Sequence, residues 1–248
     1  MMDFSRTLIR SSATGIIMTD PKEKEAKLRG ELSVTAKKYL INTYIKEKYG
    51  REKDINTKQM TKGTKNEENG ITLLSRYKKK FLKKNELQVS NDFQCGHPDI
   101  FEGESINKAT YIIDTKLSWD IWSFLPNILD TLDKGYWWQL QSYFALTGAL
   151  EGEVSYVLTD TPPNLIESEK RKLLYNMDVI SEESPEYIEA SAALEINMIY
   201  PDIPIEEKIL LFPVTRDDEA IERINNRVVK CREFLQWFSE KHTSFNKK

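Results

Sequence analysis

Between residues 109 and 117 apolar and polar positions alternate, which sets Tyr111, Ile113, Thr115 and Leu117 on one face of a strand and Ile112, Asp114 and Lys116 on the other. Residues 95–101 also read as extended, and 102–108 carry the turn signals Gly103 and Asn107, so the two runs predict a β-hairpin. Elsewhere a helical period takes over. Ile71, Leu74, Tyr77, Lys78 and Phe81 predict a helix over 70–83, and similar patterns predict helices at 34–48, 134–147, 164–175, 185–199 and 217–241. Two or three strands fall between 88 and 117, with others at 154–159 and 209–214. Hairpin strands followed by alternating helices and strands predict an α/β fold with a central mixed β-sheet flanked by helices.

Within this pattern the polar exceptions carry the chemistry. Asp114 and Lys116 share a face on a strand otherwise rich in Ile and Tyr, and Asp99 follows Pro98 fifteen positions earlier, on the partner strand. Burying an Asp and a Lys there is costly unless a divalent cation and a phosphate complete their electrostatics. Paired carboxylates suit a hard cation such as Mg2+, with Mn2+ as a substitute, and leave coordination positions for water and phosphate oxygens. A nearby lysine can orient the attacking water or offset charge developing on the phosphoryl group. Taken alone, D-x-K fits an ordinary surface ion pair equally well.

Two further segments add to it. Glu67 lies near the start of the helical segment before the hairpin, as a further metal ligand or as an acid favoured by the helix dipole. Gln139 and Tyr143, four apart in an apolar helix, share one face where they can hydrogen-bond a carboxylate or a DNA phosphate. The same tyrosine would also serve as a core aromatic. His97, two before Asp99, reads as a residue that shapes the hairpin, and Trp119, Trp122, Trp137 and Trp138 read as packing aromatics that can also stack on bases.

Charge is distributed unevenly. Residues 22–84 hold 19 Lys+Arg against 8 Asp+Glu, whereas 85–248 hold 15 against 29. A basic N-terminal third in an acidic chain offers one face to a polyanion, with Lys78, Lys79 and Lys80 in its densest block as candidates for sequence-independent DNA binding. A lysine-rich solvated helix face is the plainer reading of that block. The 248 residues suffice for one compact domain with a basic helical part over about 1–84, and residues 54–69 are polar enough to predict mobility before DNA binds. No apolar run reaches the roughly 20 residues of a membrane span and no secretory core is visible, so a cytoplasmic location is expected, in the host if the chain is phage-encoded. Two cysteines, Cys95 and Cys231, are too few for a four-thiolate cluster and are expected as free thiols.

The order G-x-x-x-E (Gly63 to Glu67), P-D (Pro98-Asp99), D-x-K (Asp114 to Lys116) and Q-x-x-x-Y (Gln139 to Tyr143) resembles the PD-(D/E)xK nuclease superfamily. Within it, the chain is similar to the phage-type exonucleases related to phage lambda exonuclease and to YqaJ-like recombinases. The likeness spans most of the sequence, from Arg10-Ser11-Ser12 to the closing helix after Asp217. It implies a restriction-endonuclease-like core, Asp99 and Asp114 as metal ligands with the Thr115 carbonyl, Lys116 as the catalytic lysine, and Glu67 (or its neighbour Glu68) as the helix-borne acid. Gln139 and Tyr143 would then orient the site or DNA, and Arg10 and Ser12 would hold a DNA phosphate. The implied activity is Mg-dependent exonucleolytic hydrolysis of double-stranded DNA from its ends, 5′ to 3′, for recombination. An endonuclease or repair nuclease on the same scaffold, or a silent DNA-binding protein, is the alternative. Implied partners are a single-strand annealing protein and further copies of the chain in a homo-oligomer. Asp114 stands where the family commonly has Glu, and its shorter reach leaves the number of metals open.

Overall fold

The computed structural model describes residues 2–53, 57–129, 131–178 and 181–245. Its helices are α1 (Thr14–Ile17), α2 (Lys24–Leu28), α3 (Val34–Tyr49), α4 (Lys58–Tyr77), α5 (Ile121–Phe124), α6 (Lys134–Thr147), α7 (Pro163–Asn176), α8 (Pro185–Ile196) and α9 (Asp218–Ser244). A small sheet joins β1 (Ile9–Arg10), β2 (Val89–Ser90) and β3 (Gln94–Gly96) in the order β1-β3-β2. The larger sheet has the order β4-β5-β6-β7, from β4 (Ile100–Gly103), β5 (Ala109–Ser118), β6 (Glu151–Leu158) and β7 (Ile209–Thr215). It is mixed: β4–β5 is the antiparallel hairpin, β5–β6 is parallel and β6–β7 is antiparallel.

The alternation read from the sequence decides what covers each face. Ile113, with Tyr111 and Leu117 at its margin, packs with Ile71 and Leu74 of α4, while Ile112 packs with Leu140, Tyr143 and Phe144 of α6. Asp114 and Lys116, in phase with Ile112, therefore lie on the α6 side. A third cluster, including Leu40 and Tyr44 of α3 and Val228 and Leu235 of α9, closes the core beyond α6. Gly70 lets α4 lie low on β5, since a Cβ there would come within 2.5 Å of Leu117 Cδ2.

Helix α4 corrects two expectations. It begins at Lys58, capped by Thr57 Oγ1 accepting from Met60 N at 3.2 Å, and ends at Tyr77, so the span expected at 70–83 moves toward the N-terminus. Of residues 54–69, expected to be mobile, 58–69 are helical and anchored behind the Thr57 cap; 54–56 lie outside the described residues. The helix escaped notice because polar residues hold its buried positions. Lys62 is only 1% exposed and its Nζ donates to the carbonyls of Trp119 (2.7 Å) and Thr159 (2.8 Å), which ties the helix to the ends of β5 and β6. Burial pulls that ammonium down to about 8, with Asp120 and Asp160 opposing the shift. Asn66, one turn on, bonds Thr159 Oγ1 and the Asp160 carbonyl.

Four strands rather than two or three occupy 88–117, because the run 95–101 breaks around Pro98-Asp99, β3 before the break joining the small sheet and β4 after it the larger one. Helix α6 starts and ends where expected, while α8 stops at Ile196 rather than 199 and β6 begins at Glu151 rather than 154. Cys95 and Cys231 are both free thiols. Among the described residues no helix is long and apolar enough to cross a membrane.

Candidate active site

The hairpin register explains the spacing of the two aspartates. Ile100 pairs with Ile113, so one residue further along the ladder Asp99 stands opposite Asp114. Strand β4 is 4 residues long against 10 for β5, which leaves the later part of β5 without a β4 partner. Asp99 takes up that free edge: its Oδ2 accepts from Thr115 N and Thr115 Oγ1, both at 2.7 Å. Since the N–H and C=O of one strand residue face the same neighbour, the Thr115 carbonyl opens toward this edge as well. Asn85 fixes the turn behind Asp99, its N–H donating to the Asp99 carbonyl at 2.7 Å and its Nδ2 to the Pro98 carbonyl at 2.9 Å.

Helix α6 supplies the rest. Gln139 Nε2 donates to Asp114 Oδ1 at 3.2 Å and to Tyr143 Oη at 2.9 Å, and its Oε1 accepts from Lys116 Nζ at 3.3 Å. Tyr143 Oη in turn donates to the His97 carbonyl at 3.2 Å, so one glutamine links aspartate, lysine and the P-D turn. Gly96 permits this approach, because a Cβ there would lie 2.8 Å from Tyr143 Cε1. Lys116 Nζ sits 2.6 Å from Asp114 Oδ2 and 4.5 Å from the centroid of the Tyr136 ring.

Electrostatics make the cluster strained by charge. Asp114 is 1% exposed, and the Lys116 ammonium, 2.6 Å from its Oδ2, is the counter-charge it meets inside the protein. Burial, and then repulsion from Asp114, push Asp99 up to about 7 against the Thr115 bonds and Lys116. Burial opposes the charge of Lys116, but Asp114 and Asp99 outweigh it and hold the ammonium above its ordinary range. Burial and the Asp114 charge likewise hold the Tyr143 phenol well above its usual value. Two carboxylates and a strand carbonyl gathered around one ammonium are a donor set that a hard divalent cation fits. Among the described residues no group of three or more His, Cys, Asp or Glu converges.

Other sequence candidates are placed differently. Glu67 lies on α4, whose Ile71 and Leu74 pack with Ile113 of β5; its Oε2 accepts from Lys84 at 2.9 Å, and the same Lys84 feels the charge of Asp99. The basic block expected on a helix face forms the end of α4 and the turn after it, with Lys79 at φ +51°. Carboxylates take up much of its charge: Lys78 meets Glu153 at 2.9 Å and Lys80 meets Glu102 at 2.6 Å. Arg10 is exposed near Tyr39, whereas Ser12 lines a cleft of about 840 Å³ that reaches Gln139. The same cleft is lined by Lys134, Tyr136, Trp137, Trp138 and Arg223. Arg223 lies 5.2 Å over the Trp138 ring, and Asp20, paired with Lys27 at 2.8 Å, tempers the positive charge. Sequence patterns singled out neither Arg223 nor Asn85; the first reaches the cleft from the distant α9, and the second is a lone Asn in a loop. Replacing Asn85 with alanine is expected to destabilise the protein by about 1–3 kcal/mol, since the Pro98 carbonyl loses its partner. Turnover should fall about tenfold as Asp99 loses its support, which melting curves and initial rates together would check.

No protein-family model matches this chain, and no curated protein matches it by sequence. Solved structures do. A phage related exonuclease from Haemophilus somnus 129PT superposes with a TM-score of 0.71 at 27% identity, over 95% of this chain and 96% of that one. An alkaline exonuclease from Laribacter hongkongensis gives 0.62 at 14% identity, over 97% and 96%, and its complex with dAMP gives 0.61 at 15%, over 97% and 95%. The chain shares its fold with these exonucleases, a restriction-endonuclease-like α/β core with a mixed sheet flanked by helices, in keeping with the resemblance carried by its motifs.

Proposed function

We propose that this protein is a Mg2+-dependent exonuclease, able to use Mn2+, that hydrolyses phosphodiester bonds of double-stranded DNA from an end. The strand is removed 5′ to 3′, as recombination of the phage type requires, with a single-strand annealing protein and further copies of the chain as partners in the host cytoplasm. The observation that carries the reading is the Asp99–Asp114–Lys116 cluster around the buried Asp114, whose neighbours Gln139 and Tyr136 line a cleft shared with Arg223 and Lys134. The likeness to a phage related exonuclease and to an alkaline exonuclease supports the nuclease class.

Asp99, Asp114 and the Thr115 carbonyl would hold the cation. When bound, it polarises the phosphate and lowers the pKa of an attacking water. Lys116, kept cationic by Asp114, faces the phosphate as a point charge that offsets the negative charge developing on its oxygens. Gln139 fixes both groups relative to one another, and the Tyr136 ring limits where the ammonium can go. Glu67 and Lys78 to Lys80 keep a part in this reading only if the approach of DNA replaces their present ion pairs. Arg223 and Lys134, with the Ser12 hydroxyl, hold backbone phosphate beside the reacting one. Arg223→Ala is therefore expected to raise KM for duplex about tenfold with kcat little changed, and to lower the salt dependence by about one counterion.

End-labelled linear duplex incubated with Mg2+ tests activity and direction together. Release of mononucleotides from 5′ ends, with a closed circle left intact, is expected. Cutting of the circle would replace the exonuclease by an endonuclease, and a lack of Mg2+ binding that depends on Asp99 and Asp114 would leave only a DNA-binding protein.

A further inference from the structure

Helix α8 is apolar on both sides, yet only one side is packed. Its inner face carries Tyr187, whose hydroxyl donates to the Lys170 carbonyl of α7 at 3.3 Å, and Glu195 closes the same contact through Lys170 at 2.6 Å. On its outer side Ile188, Ala192 and Ile196 recur every four residues, and the two isoleucines are 57% and 71% exposed. A solvent-facing helix ordinarily presents polar residues there, so a continuous apolar row is the mark of a contact surface.

The surrounding charge says what kind of contact. Between Lys172 and Lys208 the sequence has no Lys or Arg and nine Asp or Glu. Glu186 and Glu189 are exposed on α8 itself, Glu182 and Glu183 are exposed just before it, and Glu195 borders the row at Ile196. Such a surface repels DNA and favours cations. Neither Ile188 nor Ile196 lines the cleft of the nuclease site.

We infer that the outer face of α8 docks a basic amphipathic helix of a partner protein, its apolar residues seated along Ile188, Ala192 and Ile196 and its Lys or Arg side chains against Glu186 and Glu189. The row spans eight residues, about 12 Å, so the partner engages it over two to three turns, as in helix-in-groove recognition. Contact over two to three turns makes a small interface, the class to which transient complexes belong. This surface is independent of the reaction proposed for the cleft, and a failure of one reading leaves the other standing.

Fluorescence anisotropy with the full chain tests it, using three labelled peptides: a Leu/Lys amphipathic helix, the same composition scrambled, and a Leu/Glu amphipathic helix. The first is expected to bind at least tenfold more tightly than either control. The variant Ile188→Ser/Ile196→Ser should abolish that preference while melting temperature and duplex digestion stay unchanged. Equal affinity for the ordered and scrambled basic peptides would overturn the inference, as would a variant that retains the preference. Light scattering provides the remaining arm. Self-association that the double substitution removes, with no peptide preference, would assign the face to a second copy of the chain and also overturn it.

Discussion

Lys116→Met is expected to slow duplex hydrolysis by about 1,000-fold or more, with DNA affinity little changed. Methionine keeps the length of the side chain and deletes its charge, so the slot between Gln139 and the Tyr136 ring stays filled. What disappears is the ammonium 2.6 Å from Asp114 Oδ2, the cation that faces the phosphate in the proposed reaction. The same change leaves Asp114, 1% exposed, without that counter-charge, and the metal-free protein should lose about 3 kcal/mol of stability. Mg2+ should restore much of the loss, because a cation bound by the two aspartates supplies the missing charge to the folded state alone. Single-turnover rates on labelled duplex and melting curves with and without Mg2+ separate the two effects. A variant within tenfold of the wild-type rate would remove Lys116 from the reaction.

The parts of this site that were legible in the sequence are those where a single period fixes geometry. Alternation along β5 places Asp114 and Lys116 on one face, and a spacing of four puts Gln139 and Tyr143 on one side of α6; both arrangements are present in the structure. The fifteen-residue gap from Asp99 to Asp114 was readable as a hairpin because the turn signals lie midway. Long-range tertiary choices were not legible. Nothing local tells that Glu67 is bonded by Lys84, or that Lys78 and Lys80 meet Glu153 and Glu102. Helix α4 was half hidden because Lys62 and Asn66, polar residues at buried positions, break the apolar period while bonding the carbonyls at the strand ends. The small sheet was invisible for a different reason: strands of two or three residues carry no period, and β1 finds its partner some eighty residues away.

Asp99→Asn is expected to abolish metal-dependent cleavage and, in the absence of metal, to make the protein more stable. Burial and Asp114 raise the Asp99 carboxyl to about 7, far above its value in an unfolded chain, roughly 3.9. Between those two values the folded state holds a proton that the unfolded state has released. Stability from this group is therefore complete below about pH 4, and it is lost as the pH rises toward and through about 7. Three units would correspond to about 4 kcal/mol; Asp99 retains some access to water, so about 2 kcal/mol is the expected penalty at pH 8. Asparagine removes the ionisation while its carbonyl oxygen can still accept from Thr115 N and Oγ1. In chelator at pH 8 the variant should melt about 4–8 °C above the wild type, and near pH 4 the difference should vanish. Mg2+ should then raise the melting temperature of the wild type and leave that of the variant unchanged. A variant that melts lower than the wild type at pH 8 would mean that Asp99 is a structural group held by Thr115 rather than a carboxylate kept under repulsion. The same result would remove the reason for placing a cation between the two strands, since a pair of aspartates comfortable without metal has no electrostatic demand for one.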